Sequence, residues 1–147
     1  MRKTLFTLFT GLALLSASAA DDGWLTDFAK AQAKAKAEKK LVLLDFTGSD
    51  WCPPCKALHK NVLTSAEFEK YAKENLVLVE VDFPQHKSQP DALKKANAEL
   101  AKKYGIEGYP TIIVLNAEGK QVFKEVGYGG TDAKTYLAKL EKEVKKK

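Results

Sequence analysis

Apolar residues along the 147-residue chain form short dense runs separated by amphipathic segments. The runs at 41–46 and 76–81 lack a strict alternation of polar and apolar positions, which is typical of strands covered on both faces. A third apolar strand is predicted at 111–115. The turn Asn116–Gly119 then leads back into a more polar strand at 121–126.

Around these strands, apolar residues recur at the spacing of α-helices. The first such stripe contains Trp24, Phe28, Ala31 and Ala35. Five helices are predicted, beginning near residues 26, 52, 64, 90 and 131. Strands separated by a helix are expected to be parallel, whereas the closing hairpin is antiparallel. The pattern therefore predicts an α/β domain with a central mixed sheet and helices on both faces.

The amino-terminal segment has the pattern of a secretory signal peptide rather than of a folded element. A basic start at 2–3 precedes an apolar run at 5–15, which is too short to span a bilayer, and small residues follow at 16–20. We therefore expect residues 1–20 to be cleaved. Residues 21–147 are expected to form one exported domain, periplasmic or secreted, with no stable membrane insertion after cleavage.

The charge of the chain does not indicate a nucleic-acid-binding protein. Removal of two basic residues with the predicted signal peptide lowers the formal net charge from +5 to +3. The densest basic stretch, between Lys30 and Lys40, has no interleaved aromatic residue and is interpreted as a solvated helix face. The hydrophobic content of 45%, by contrast, supports a core of the size that one domain needs.

The two cysteines, Cys52 and Cys55, lie between the apolar run at 41–46 and the following helix. Such a pair at a strand-to-helix junction favours thiol–disulfide redox chemistry. A disulfide across C-x-x-C closes a very small loop, so it adds little stability through the unfolded state. A catalytic or metal-binding role is therefore favoured over a structural one, and His59 is a third candidate metal ligand.

Four motifs resemble those of the thioredoxin superfamily and occur in the same order: Leu44-Asp45-Phe46, Trp51-Cys52-Pro53-Pro54-Cys55-Lys56, Gly108-Tyr109-Pro110-Thr111 and Gly127. The resemblance covers residues 25–145 approximately. The longer lead-in to the cysteines is similar to that of exported thioredoxin-like proteins. The resemblance implies a thioredoxin fold and a redox-active dithiol with no bound cofactor.

The resemblance also implies roles for the residues around the dithiol. Cys52, at the exposed amino end of its helix, is expected to attack a partner disulfide, because the helix dipole and free N–H groups favour a thiolate. Cys55 is expected to resolve the mixed disulfide, and Asp45 to move its proton through water. The residues expected to support the active site are Trp51, Pro53, Pro54 and Lys56.

Two departures from thioredoxin itself concern this chemistry. Pro53 stands where thioredoxin has glycine and offers no N–H to the Cys52 sulfur, so we hypothesise a less stabilised thiolate. That change would bias the protein toward reduction of its partners. Glu80 stands where thioredoxin has a lysine. If Glu80 faces Asp45, two acids share one site and raise each other's pKa.

The family pattern implies a substrate groove beside Cys52, bordered on one side by Trp51. Pro110 is the candidate cis-proline, which would place the backbone of Tyr109 where an extended partner segment can pair with it. Gly127 and the adjoining Tyr128 complete the candidate groove.

The predicted function is an exported thiol–disulfide oxidoreductase that exchanges or reduces disulfides of cysteine-containing exported proteins. By family analogy, its electrons come from a membrane-embedded dithiol donor. No dimerisation segment is evident, so a monomer is expected. Two alternatives stay open: a copper or zinc carrier that uses Cys52, Cys55 and His59, and a redox-inactive thioredoxin-like binding module.

Overall fold

A computed structural model describes residues 23–146. The predicted signal peptide, residues 1–20, lies outside the described residues. Within 23–146 the chain forms ten main elements, one of which, α2, continues into a π-helical turn at His59–Leu63. Their bounds are β1 (Trp24–Leu25), α1 (Phe28–Glu38), β2 (Leu41–Thr47), α2 (Pro53–Leu58), α3 (Ala66–Asn75), β3 (Leu76–Asp82), α4 (Asp91–Lys103), β4 (Thr111–Leu115), β5 (Gln121–Val126) and α5 (Ala133–Lys145).

The five strands form one sheet in the order β1-β3-β2-β4-β5. Strands β1 and β2 run parallel to β3, whereas β4 runs antiparallel to both of its neighbours, β2 and β5. The predicted mixed sheet is confirmed. The expectation that strands separated by a helix are parallel is wrong for β4. Tyr104 at the end of α4 packs on Phe46, with ring centroids 6.3 Å apart. The next strand, β4, therefore begins beside the end of β2, where Thr111 pairs with Phe46, and runs antiparallel to β2.

The first helix begins later than predicted, because Asp27 caps it. The Asp27 side chain accepts a hydrogen bond from the Lys30 amide at 3.0 Å. Trp24, whose spacing matches the apolar stripe of this helix, lies before it in β1, where it pairs with Leu78 of β3. Trp24 and Leu25 precede the Asp27 cap, so their backbone groups form hydrogen bonds with β3 at the edge of the sheet and not within the helix.

Each face of the sheet carries its own apolar core, so the prediction of helices on both faces is confirmed. Helices α2, α3 and α5 cover one face, with Leu58, Phe68 and Leu140 among the buried residues. Helices α1 and α4 cover the other face, which includes Ala31 and Phe46. None of the helices in the described part of the chain is long and apolar enough to cross a membrane.

Candidate functional site

The cysteine pair lies where β2 gives way to α2. Cys52 is the N-cap residue of α2 in an extended conformation, and its Sγ accepts a hydrogen bond from the Cys55 amide at 3.3 Å. The two cysteines are joined as a disulfide, with their Cα atoms 5.3 Å apart. Pro53 and Pro54 occupy the first two helical positions, where a missing N–H costs the helix nothing. The helix therefore presents a single amide, that of Cys55, to the Cys52 sulfur.

The exposure of Cys52 differs from the prediction. We expected Cys52 to be exposed and Cys55 to lie deeper, but each is 3% exposed. In the oxidised pair, the Cys52 sulfur is bonded to Cys55 and caps the helix through the Cys55 amide, so it is turned inward. In the disulfide, the exposed fractions of the two cysteines therefore do not distinguish one from the other.

A polar clamp fixes the segment that leads into the cysteines. The amide and hydroxyl of Ser49 donate to the two carboxylate oxygens of Asp82, at 2.9 and 2.5 Å. The indole Nε1 of Trp51 donates to the Phe83 carbonyl at 2.8 Å. Glycine is required at position 48, because a Cβ there would overlap the Trp51 ring. These contacts tie the lead-in to the loop that follows β3.

Asp50 completes this clamp with its carboxylate. Its oxygens accept hydrogen bonds from the backbone amides of Gln85, His86 and Lys87, at 3.0, 2.8 and 2.9 Å. Although partial desolvation opposes it, these three donors and the nearby His86 lower the pKa of Asp50 to about 2. The Lys56 ammonium donates to the Asp50 carbonyl at 3.0 Å, so Lys56 supports the same segment from α2.

The chain before β4 approaches the cysteines with a cis peptide bond between Tyr109 and Pro110, the isomer that the family resemblance implies. The Pro110 carbonyl accepts a hydrogen bond from the Gly127 amide at 2.8 Å, and Gly127 has a φ of 81°, which glycine adopts readily. The Tyr109 ring makes an edge contact with Trp51, with centroids 5.8 Å apart. A ring contact thus joins Trp51 to Tyr109, and a backbone hydrogen bond joins Gly127 to the neighbouring Pro110.

Tyr128 is not brought into this group by any contact of the described residues. Its hydroxyl donates to the Thr131 carbonyl at 2.6 Å, and its ring packs against the core under α5. Sequence reasoning missed two other residues near the groove. Phe83 stacks at a tilt on Tyr109, with centroids 5.3 Å apart, and Val126 is 61% exposed beside Gly108. The available signals were an aromatic residue, Phe83, directly after an apolar strand and an apolar residue, Val126, directly before Gly127.

Behind Cys55 lies a cavity of about 300 Å³ with a charged lining. The titratable residues that line it are Asp45, Cys55, Lys56, His59, Glu80 and Lys87. Asp45 is 5% exposed, and its Oδ1 atom has no hydrogen-bond partner within residues 23–146. Burial, followed by the charges of Glu80 and Asp82, raises the pKa of Asp45 to about 8. A carboxyl group with that pKa can exchange a proton with a thiol near neutral pH.

The register of the sheet places Glu80 directly beside Asp45, since the two residues are paired across β2 and β3. Glu80 therefore faces the acid, as one branch of the sequence prediction required. His59 also opens onto the cavity, but no three His, Cys, Asp or Glu side chains in the described part of the chain are grouped as a metal site requires.

Comparison with known proteins agrees with this geometry. A family model described as a thioredoxin-like domain matches residues 28–144. The chain belongs to the thioredoxin-like family. The disulfide bond reductase DsbH of Chlamydia pneumoniae is 36% identical over 118 residues, which cover 80% of this chain and 70% of DsbH.

A solved structure of the DsbH oxidoreductase is similar to this one with a TM-score of 0.78 at 32% identity, over 97% of this chain and 95% of that chain. The thioredoxin-related protein DsbJ of Chlamydia pneumoniae is 32% identical over 133 residues, which cover 86% of this chain and 38% of DsbJ. The chain therefore spans most of DsbH but well under half of DsbJ. The family model and these relatives show that the chain has the thioredoxin fold. They also show that it is a thiol–disulfide oxidoreductase with a C-x-x-C redox centre.

Proposed function

We propose that this protein is an exported reductant of protein disulfides that works through Cys52 and Cys55 without a bound cofactor. The observation that supports this most directly is the placement of Cys52 at the N-cap of α2, bonded to Cys55 and adjoining the Trp51–Tyr109 pair. The relative DsbH, named a disulfide bond reductase, supports the direction of electron flow.

In the proposed reaction, the Cys52 thiolate attacks one sulfur of a partner disulfide, and the other partner sulfur leaves as a thiolate. The Cys55 thiol then attacks the Cys52 sulfur, and its proton passes to Asp45 in the fraction of molecules in which that carboxyl group is ionised. The Cys52–Cys55 bond forms, and the first partner sulfur leaves with the electron pair of the broken mixed disulfide. Two electrons thus pass from the dithiol to the partner.

The reductive direction is supported by the donors available to the Cys52 sulfur. The Cys55 amide donates to that sulfur, whereas Pro53 and Pro54 have no N–H to offer. A thiolate with fewer donors is less stable, so the dithiol gives up its electrons more readily. Equilibration with glutathione measures this directly, and a potential as high as that of strong periplasmic oxidants would contradict the direction.

The partners are proposed to be exported proteins with cysteines, and the electron source a membrane-embedded dithiol protein. The groove for a partner segment is proposed to lie along Trp51, Tyr109, Gly127 and the adjoining Tyr128. We further propose cleavage after Ala19 or Ala20 and a monomeric single domain from residue 21. Mass spectrometry of the protein from the exported compartment tests the cleavage site.

The proposed function is tested by trapping. The Cys55→Ser protein should hold partners as mixed disulfides through Cys52, while the matched Cys52→Ser protein should capture none. Both variants should lose the dithiol-driven reduction of insulin that the unmodified protein catalyses. Equal trapping by both variants would show that the two cysteines do not have the proposed roles.

Alkylation of the reduced protein tests the accessibility that this reaction needs. Because both sulfurs are nearly closed to solvent in the disulfide, Cys52 must become reachable on reduction. We expect iodoacetamide to modify Cys52 at least ten times faster than Cys55, as measured by peptide mapping. Equal and slow modification of both thiols would contradict the assignment of Cys52 as the nucleophile.

A further inference from the structure

Two carboxyl groups lie side by side under the redox centre. Asp45 on β2 and Glu80 on β3 are paired in the parallel register. Paired residues of neighbouring strands project to the same face of a sheet, and strands lie roughly 5 Å apart. Both side chains line the cavity that also reaches Cys55. The second acid is therefore built into the same site as the first.

The two acids have different surroundings. Asp45 is buried, whereas Glu80 is partly exposed toward the cavity mouth. The remaining titratable and charged groups near them are Asp82 on β3, Lys56 and His59 after the cysteines, Lys87 in the loop after β3, Tyr136 on α5 and Glu125 on β5. Lys56 and Lys87 line the cavity together with both acids. Because Glu80 is less buried than Asp45, desolvation opposes the charged form of Glu80 less.

We propose that Glu80 is a positioning residue whose negative charge keeps a proton on Asp45 at neutral pH, so that Asp45 can deliver it to Cys55. The delivery occurs when the Cys52–Cys55 disulfide is reduced by a dithiol donor. Because Asp45 acts on Cys55 only within that exchange, the role of Glu80 rests on the proposed function.

A donor thiolate attacks the Cys52 sulfur, a bond forms between those two sulfurs, and the Cys52–Cys55 bond breaks with its electron pair on the Cys55 sulfur. The proton of Asp45 passes to that sulfur, which leaves Asp45 as a carboxylate. Water entering through the cavity returns a proton to Asp45. Burial and the neighbouring charge of Glu80 both favour the protonated acid, so the proton is present when the step begins.

The direct test is a carboxyl-carbon NMR titration of the oxidised protein, in which the cysteines do not titrate. Replacing Glu80 by Gln should lower the midpoint of the Asp45 titration by about one pH unit. Glu80→Asp should restore most of the shift, because it keeps the charge. The matched control is Glu118→Gln, a change of the same kind in the exposed turn after β4, at the end of the strand that pairs with Val42 and not with Asp45. It should leave the Asp45 midpoint within about 0.3 units.

The same variants should change how the rate of reduction of the Cys52–Cys55 disulfide by dithiothreitol depends on pH. Each rate is divided by the concentration of dithiothreitol thiolate at that pH. A general acid loses activity above its own pKa, so the fall in rate at high pH should begin about one unit lower in Glu80→Gln. Asp45→Asn should abolish that fall. Glu118→Gln should leave the profile unchanged.

An Asp45 midpoint that does not move in Glu80→Gln overturns this inference while leaving the thiol chemistry intact. Failure of the proposed function would instead appear as loss of insulin reduction in the unmodified protein. If Glu80→Gln does not fold, the unmodified protein still decides the matter. Coupled acids each report both titration steps, so the Asp45 and Glu80 signals should both be biphasic, and independent single steps would contradict the coupling.

Discussion

Asp45 and Asp50 are separated by five positions, yet their surroundings push them in opposite directions. Asp50 accepts three backbone hydrogen bonds, and its pKa falls to about 2. Asp45 is buried with one oxygen unpartnered among residues 23–146 and with Glu80 alongside, and its pKa rises to about 8. Asp50 holds the loop in place through its hydrogen bonds, whereas the raised pKa favours the protonated form of Asp45, as the proposed proton transfer requires. The difference shows how one short segment can both fix an active site and leave it reactive.

The largest expected effect comes from replacing Asp45 by Asn. Since the folded-state pKa of Asp45 is raised, its neutral form is the stable one, and its contribution to the free energy of unfolding is greatest below pH 4. It is lost progressively as pH rises toward 8, because the unfolded chain releases that proton first. The Asn variant should escape this loss and gain several kcal/mol relative to the unmodified protein at pH 8.

Urea unfolding of both oxidised proteins between pH 4 and 8 measures this gain. The difference between the two free energies of unfolding should grow with pH across the whole interval. A difference independent of pH would mean that Asp45 ionises normally in the folded protein.

The next effect concerns the clamp, through Gly48→Ala. A Cβ at this position would overlap the Trp51 ring, and an overpacked site of this kind costs about 1–3 kcal/mol. Displacement of Trp51 should also raise the KM for protein disulfides more than it lowers kcat. Gly129→Ala is the matched control, because a Cβ there meets no atom within 4 Å. Equal stability and KM in the two variants would show that the lead-in is not tightly packed.

A smaller effect is expected from Trp51→Phe, which keeps an aromatic ring and removes one donor. The Phe83 carbonyl loses its 2.8 Å hydrogen bond, which should cost about 1 kcal/mol in thermal or urea unfolding. The midpoint of the Asp45 titration should not move, because the clamp and the acid cavity are separate. A change of that midpoint would show that the two regions are coupled.

The smallest effect is expected from Asp50→Asn at neutral pH, where the amide oxygen can still accept hydrogen bonds. The lowered pKa of Asp50 means that its contribution is present above pH 4 and disappears as pH falls toward 2. The unmodified protein should therefore lose stability over this acidic interval and the variant should lose less. Parallel curves for the two proteins between pH 4 and 2 would contradict the clamp role of the carboxylate.

Local patterns predicted the parts of this molecule that depend on neighbouring residues. The apolar run at 41–46 made β2 foreseeable, and the C-x-x-C spacing located the redox pair. The three donors to Asp50 could not be foreseen, because they are backbone amides of a loop some 35 positions away. The direction of β4 was missed for a related reason, since it depends on where α4 ends and not on α4 being helical.

The low exposure of Cys52 was missed because a helix N-terminus suggests an accessible sulfur. In the disulfide, both cysteines are only 3% exposed. The pairing of Glu80 with Asp45 was left open because alternation alone does not fix the register between two strands. Once the register is known, that pairing follows without further assumptions.

The contrast between the two aspartates is tested most directly in a single sample of oxidised protein with labelled carboxyl carbons. Titration followed by NMR should place the Asp50 midpoint near pH 2 and the Asp45 midpoint near pH 8. Midpoints that both lie close to pH 4 would contradict the account, because the clamp and the proton site would then be electrostatically alike.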